Sequence, residues 1–363
     1  MGQWTKLVEC HPHGIPDVLA RQIDEHYGAL FASARQLRLA DRLHGDIWVY
    51  RSQTAGFVHA IFLYTCSGKE IRVLSEQVGV LAYEVERFVD YLFERHPEAD
   101  RVLFFGLDMG ELRTTRPYQR YFCAEDIVIP AVGSEQAYTD KLGKSTKRNI
   151  RRRSAALAQR HPSMRFETLD ASGIGPALVA QIIAFNRARM ASKNKMSTYC
   201  DEDADRLAVL AADDGMAGIV RVEGEIVAGS VCARIGHNYY MMISGHALGF
   251  DEFSLGFLCC YWTTQACLRR GAREINLMGG RLDYKYALLG DSRKYDALSV
   301  YRSRQAMLGF LPDVIGTACR GSLIEARFAL LDCERKPGAA AQLVAHGIRS
   351  WRAAKTRRMQ EAS

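Results

Sequence analysis

The chain lacks the features that would tie it to a membrane, a secretory leader or a metal. Across 363 residues no run approaches the ~18 consecutive apolar residues of a spanning helix. The opening segment, MGQWTKLVECHPHGIPD, has neither an apolar stretch nor a small-residue cleavage site, so a cytoplasmic location is expected. Gly2 would suit N-myristoylation, but Lys6 stands where that motif takes Ser or Thr. The ten cysteines form no Cys-x-x-Cys pair and have no histidine at metal spacing, so no metal is expected. Most sit in apolar runs and read as small buried hydrophobes of a reducing compartment. A strong charge of one sign is missing too, since 48 basic against 41 acidic residues leave a formal +7. An excess of that size points to no partner until its distribution is known.

What is present is the composition of a soluble globular protein, 48% apolar and 25% charged, long enough for two domains. Helical spacing marks Pro16 to Ala40 and Gln77 to Arg95, the latter stopped by His96-Pro97. Strand-like runs cover Asp46–Arg51, Phe57–Tyr64, Glu70–Leu74, Val102–Phe105 and Ala124–Pro130. The second half repeats the grammar. Helices over Ile182–Met190 and Asp201–Ala212 precede strands at Ala217–Val222, Glu225–Ile235 and Asn238–Gly245, joined by turns at Glu223-Gly224 and Gly236-His237. A helix over Leu255–Arg270 and a strand at Glu274–Met278 follow. The expected class is mixed α/β (α+β), a mixed sheet flanked by helices, built from two related units in tandem. The expected division is 1–130, a basic helical linker at 131–160, a second unit at 161–303, and C-terminal helices at 304–363. The tail from Ala340 to Met359 reads as a basic amphipathic helix that packs on the body or touches a membrane surface.

Lys141 to Arg153 carries seven basic residues and no acid: Lys141, Lys144, Lys147, Arg148, Arg151, Arg152 and Arg153. Leu142, Ile150 and Leu157 give the same stretch an apolar stripe, so it is either a solvated helix face or an anion contact. Tyr138 alone interleaves an aromatic ring, so neither sequence-specific RNA reading nor specific DNA binding is expected.

The segment from Val220 to Gly290 holds the candidate site. A strand ending Met242-Ile243-Ser244-Gly245 runs into a loop from His246 to Phe253. Ser254 is a natural N-cap for the helix that follows, and Gly256 leaves its first turn bare. Free N–H groups and the dipole there suit an anion such as a pyrophosphate. After Ile275-Asn276-Leu277-Met278, two glycines allow a sharp turn into Asp283-Tyr284-Lys285, which is either a pocket or an exposed turn.

This order of hairpin, strand, small-residue helix start, strand, glycine and Tyr-Lys resembles the GNAT fold as used by CelD/BcsL-like acyltransferases of polysaccharide gene clusters, relatives of the FemABX aminoacyl transferases. The matching residues are Asp126–Pro130, Tyr138–Arg152, Gly224–Gly229, Ser254–Gly256 and Asp283–Lys285. Phe253–Gly256 is shorter and poorer in Gly and Arg than the family's pyrophosphate loop, and His246 stands where an aromatic is usual. The resemblance implies an acyl-CoA co-substrate, acetyl-CoA or longer, held by Ser244, Ser254, Leu255, Gly256 and Asn276. It implies transfer to an amine or hydroxyl acceptor, saccharide-linked or small, in polysaccharide or cell-envelope synthesis. His246 is then the candidate base with Asp283 as rival, Tyr284 the proton donor, and Lys285 a cation steadying substrate or CoA. The alternatives are a tRNA-dependent aminoacyl transferase and a non-catalytic module that binds an anionic polymer.

Overall fold

A computed structural model describes residues 4–12, 14–130 and 133–335. The tail expected over Ala340 to Met359 lies outside the described residues. The first half runs β1 (Trp4–His11), α1 (Asp17–Tyr27), α2 (Ala34–Leu39), β2 (Ile47–Thr54), β3 (Phe57–Ser67), β4 (Glu70–Val73), β5 (Val78–Gly79), α3 (Ala82–Arg95), β6 (Arg101–Asp108) and β7 (Tyr118–Pro130). The linker forms α4 (Glu135–Lys141) and α5 (Lys144–Arg160). The second half runs β8 (Arg165–Asp170), α6 (Pro176–Ser192), α7 (Asp203–Ala211), β9 (Met216–Val222), β10 (Glu225–Ile235), β11 (Asn238–His246), α8 (Leu255–Arg269), β12 (Glu274–Asn276), α9 (Asp283–Ala287) and β13 (Asp291–Tyr301). Helices α10 (Arg304–Gly309) and α11 (Leu311–Arg335) close the described chain.

Among the described residues all strands belong to one 13-stranded mixed sheet, ordered β1-β2-β3-β4-β6-β13-β7-β12-β11-β10-β9-β8 with β5 beside β6. Helices flank it, as the alternation in the sequence predicts. The order is that of two copies of one unit. Each has a strand, two helices, an antiparallel meander, a helix, and then a strand parallel to the last member of the meander: β4 with β6, and β11 with β12. The closing strands are exchanged. β7 ends the first half but pairs with β12, whereas β13 ends the second but pairs with β6. β7 and β13 also pair with each other, from Asp291 opposite Val128 to Val300 opposite Tyr118, so the sheet runs unbroken across the seam.

The units differ where the parallel pair ends. In the first, β4 leaves β6 after Arg72 opposite Leu103, but β5 returns to pair at Leu107 and Asp108 and refills the gap. Gly106 makes this possible. It has φ +79°, and a Cβ there would stand 2.9 Å from the backbone nitrogen of Gln77. In the second unit no strand returns, and the gap stays open.

Several elements differ from the sequence expectation. The helix expected from Gln77 starts only at Ala82, because Val78 and Gly79 pair with β6. The helix expected over Pro16–Ala40 breaks at Gly28, whose φ of 54° ends α1. β1 and β8 escape the pattern because they are the sheet's two edges, half exposed and mixed in polarity. β13 escapes because its first half, Asp-Ser-Arg-Lys, looks like a loop, yet Arg293 bonds both oxygens of Glu274 inside the sheet. The stripe on the basic segment is confirmed: Leu142, Ile150 and Leu157 are all buried.

Helix α6 lies so close over β11 that a Cβ at Gly245 would meet the Ile182 carbonyl oxygen at 2.6 Å and the Asn186 nitrogen at 3.0 Å. Gly245→Ala should therefore cost about 1–3 kcal/mol in urea unfolding, through overpacking against backbone that cannot yield. A loss indistinguishable from zero would show that α6 can move away.

Candidate functional site

The site begins with a parallel pair that is only three residues long. β11 and β12 pair from Asn238 opposite Glu274 to Tyr240 opposite Asn276, and then part. The cause is local. A bulge sets Val231 opposite Ile243 but Cys232 opposite Met241, leaving Met242 as the extra residue in β11. A bulge bends its strand and increases the twist, which carries the end of β11 away from β12. On the other side the chain after Asn276 turns toward β7: the Leu277 N–H donates to Ile127 O, and the Ile127 N–H donates to Met278 O.

Parting strands leave backbone acceptors that need partners. The Tyr199 hydroxyl donates to Met242 O at 2.6 Å, and Asn186 Nδ2 donates to Ser244 O at 3.1 Å. Across the gap the ammonium of Lys285 donates to the carbonyls of Leu277, Met278 and Gly279 at 2.6, 2.9 and 2.7 Å. Between these walls lies a cavity of about 630 Å³, closed by the start of α8, the end of α6 and one face of α5.

His246 lies at the end of β11 rather than in the loop, and is 4% exposed. Its Nε2 stands 3.2 Å from Asp251 Oδ1, which assigns the proton to Nε2 and the lone pair to Nδ1. Nδ1 is buried without a partner among the described residues. Burial pushes the imidazole below its ordinary pKa, the Asp251 bond opposes this, and the nearby Arg189 charge lowers it further. The ring also explains Gly256: a Cβ there would stand 2.7 Å from Nδ1. The bare helix turn read from the sequence as room for a ligand is filled by the protein's own imidazole.

The remaining sequence-predicted residues divide between the cavity wall and the packing behind it. Ser244, Ser254, Gly256, Asp283, Tyr284 and Lys285 line the cavity together with His246. Ser254 takes the cap position of α8 in a left-handed conformation, φ 49°, and its side chain makes no capping bond, contrary to the N-cap expected there. Leu255 is fully buried in the apolar core beneath α8. Asn276 is buried as well, donating from Nδ2 to Asp126 Oδ2 at 2.7 Å and accepting the Met278 N–H at 2.6 Å. It shapes the gap from behind. Burial raises the Tyr284 phenol pKa, so its proton is held firmly. Lys285 is 4% exposed and points away from a solvated surface role; burial pushes its ammonium down to about 8, and Asp126 opposes this.

Sequence reasoning passed over Asn186, Arg189 and Lys193 on the end of α6, along with Tyr199, Asp251 and Cys260, all on the cavity wall. One signal was available. Asn186, Arg189 and Lys193 recur at i, i+3 and i+7, a polar stripe along one helix face. Asp251 offered none, because its meeting with His246 depends on the turn between them. Cys260 accompanies Ser244, Sγ to Oγ 3.3 Å, and burial raises its thiol pKa, so it remains a thiol there.

Replacing Lys285 by Met would leave the Leu277 and Gly279 carbonyls without donors, while Met278 O keeps the Ile127 N–H. Denaturant unfolding should show a loss of about 2–4 kcal/mol, with the β12–α9 segment gaining hydrogen exchange. A near-neutral result would mean that those carbonyls find water.

Residues 144–286 match the family model described as an acetyltransferase (GNAT) domain. No curated protein matches the chain in sequence. Among solved structures, FemX is similar over 79% of this chain and 96% of its own, at 11% identity and a TM-score of 0.55. A conserved protein of unknown function from Bacteroides thetaiotaomicron is similar over 82% of this chain and 100% of its own, at 10% identity and a TM-score of 0.51. Identities this low carry the fold alone. Among the described residues no helix is long and apolar enough to cross a membrane. The parted strands and the cavity between them lie within the stretch that matches the acetyltransferase (GNAT) domain model, residues 144–286, and the larger fold is similar to that of FemX.

Proposed function

We propose that the chain transfers an acyl group from acyl-CoA to an amine or hydroxyl acceptor, saccharide-linked or small, in polysaccharide or cell-envelope synthesis. The observation that carries this reading is the open gap between β11 and β12, with His246 and Tyr284 on the walls of the cavity it opens into. The acceptor's lone pair attacks the thioester carbon and its proton passes to His246, kept neutral by burial and oriented by its bond to Asp251. The C–S bond then breaks, and the leaving thiolate takes the phenolic proton of Tyr284. Asp283, exposed at the rim, is the rival base.

Calorimetry with acetyl-CoA and longer acyl-CoA should show saturable binding. If no acyl-CoA binds the wild type, the reading fails. With an acceptor identified, His246→Ala should lower kcat/KM by about 10²–10⁴. The base works unprotonated, and its pKa is depressed, so activity should persist below the pH at which an ordinary histidine protonates. Arg189→Gln removes a lowering charge and should move the acid limb of kcat/KM to higher pH; Asp251→Asn removes a raising one and should move it lower. Shifts in the opposite directions would exclude His246 as the base.

A second reading, aminoacyl transfer from tRNA, is favoured by one feature. Lys144, Arg148, Arg151 and Arg152 are exposed on α5 with no acidic partner among the described residues. Salt-sensitive tRNA binding that is lost on reversing Arg148 and Arg151 would favour it over acyl-CoA.

A further inference from the structure

Helix α8 is 15 residues long and its start faces the cavity, yet the protein occupies the seat a phosphate would take there. The Ser254 N–H donates to Asp251 O at 2.9 Å and the Leu255 N–H to Phe250 O at 3.4 Å. The His246 ring packs against Gly256, and the Asp251 carboxylate stands beside it. A diphosphate placed on that turn would meet a carboxylate and only one amide, that of Gly256, without a backbone acceptor among the described residues.

Positive charge lines a different part of the same cavity. Arg153 comes from α5, which packs on the Asp251–Phe253 turn, and shares its face with Thr146 and Asn149 at i, i+3 and i+7 spacing. Arg189 and Lys193 come from the end of α6, one turn apart. None of the three has an acidic partner among the described residues, whereas Arg187, Arg269, Arg270 and Arg281 each pair with a carboxylate. Arg189 Nε is buried with no hydrogen-bond partner among the described residues, a costly state that an anionic ligand would relieve. Two walls therefore present three uncompensated cations to one cavity whose helix start is closed.

We propose that Arg153, Arg189 and Lys193 form the anion site of this cavity and take the phosphates of a pantetheine-type thioester donor, in place of the start of α8. The inference rests on the acyl-CoA reading above and names the residues that hold the donor's charged end. It also accounts for the short stretch at Phe253–Gly256: a chain that grips phosphate with side chains from α5 and α6 needs no long glycine-rich loop.

The test compares acetyl-CoA with acetyl-pantetheine, which has no phosphate, by calorimetry on the full chain. The variant is Arg153→Gln/Arg189→Gln/Lys193→Gln. The control, Lys141→Gln/Arg160→Gln/Lys195→Gln, removes equal charge from exposed positions off the cavity wall. We expect the variant to bind acetyl-CoA about tenfold or more weakly, acetyl-pantetheine to bind variant and wild type alike, and the control to match wild type. Acetyl-CoA affinity that survives in the variant, or falls equally in the control, overturns the site while leaving the acyl-CoA reading intact. If the wild type binds no acyl-CoA, that reading fails, and inorganic pyrophosphate becomes the probe. Pyrophosphate bound by wild type and not by the variant supports the anion site alone; pyrophosphate bound by neither overturns it as well.

Discussion

A strand that leaves its neighbour in the middle of a sheet exposes backbone groups that the sheet would have paired. Much of the cavity wall answers that constraint. The bulge at Met242 turns β11 outward, and Tyr199 and Asn186 supply donors to its carbonyls. On the other wall Lys285 spends all three of its protons on consecutive carbonyls. An ammonium is suited to this because it donates three bonds and accepts none. The buried charge is tolerable because those dipoles and Asp126 surround it. The gap is thus a satisfied structure, which is why it can stand open in a protein interior.

The first unit meets the same constraint by the opposite route. There β5 returns to β6 and supplies backbone partners, and the space is lost. One topology yields one cavity and one filled copy. The exchange of β7 and β13 makes the two inseparable, since each unit is completed by the other's last strand. The filled unit therefore supports the open one through the sheet, whatever else it does.

Charge is distributed around the cavity with little cancellation. Asp251 is committed to His246 on one side, while the cations of α5 and α6 stand unpaired on the other. The same cations that would attract an anion also hold the imidazole neutral, because both Arg189 and Lys193 lower its proton affinity. In the proposed reaction, binding and proton transfer would be linked through those side chains.

Much of the fold was legible in the sequence. Glu223 and Gly224 both adopt positive φ at the hairpin they announce, and the helix of α8 and the strands β9 to β11 fall where periodicity puts them. These are local properties, fixed by spacing and turn chemistry. The edge strands and the polar half of β13 were not legible, because their partners lie far away in the chain. The site divided the same way. Its segments, Ser244 to Gly256 and Asp283 to Lys285, were marked by the sequence, but the roles of single side chains were not. Gly256 is small because an imidazole lies on it, Asn276 turns to Asp126 behind the gap, and Lys285 is sealed against carbonyls. The sequence by itself determined the order of elements and where chemistry could gather. Only the tertiary structure decided which groups face the cavity and which are spent holding it open, because that depends on backbone groups of distant strands competing for the same donors.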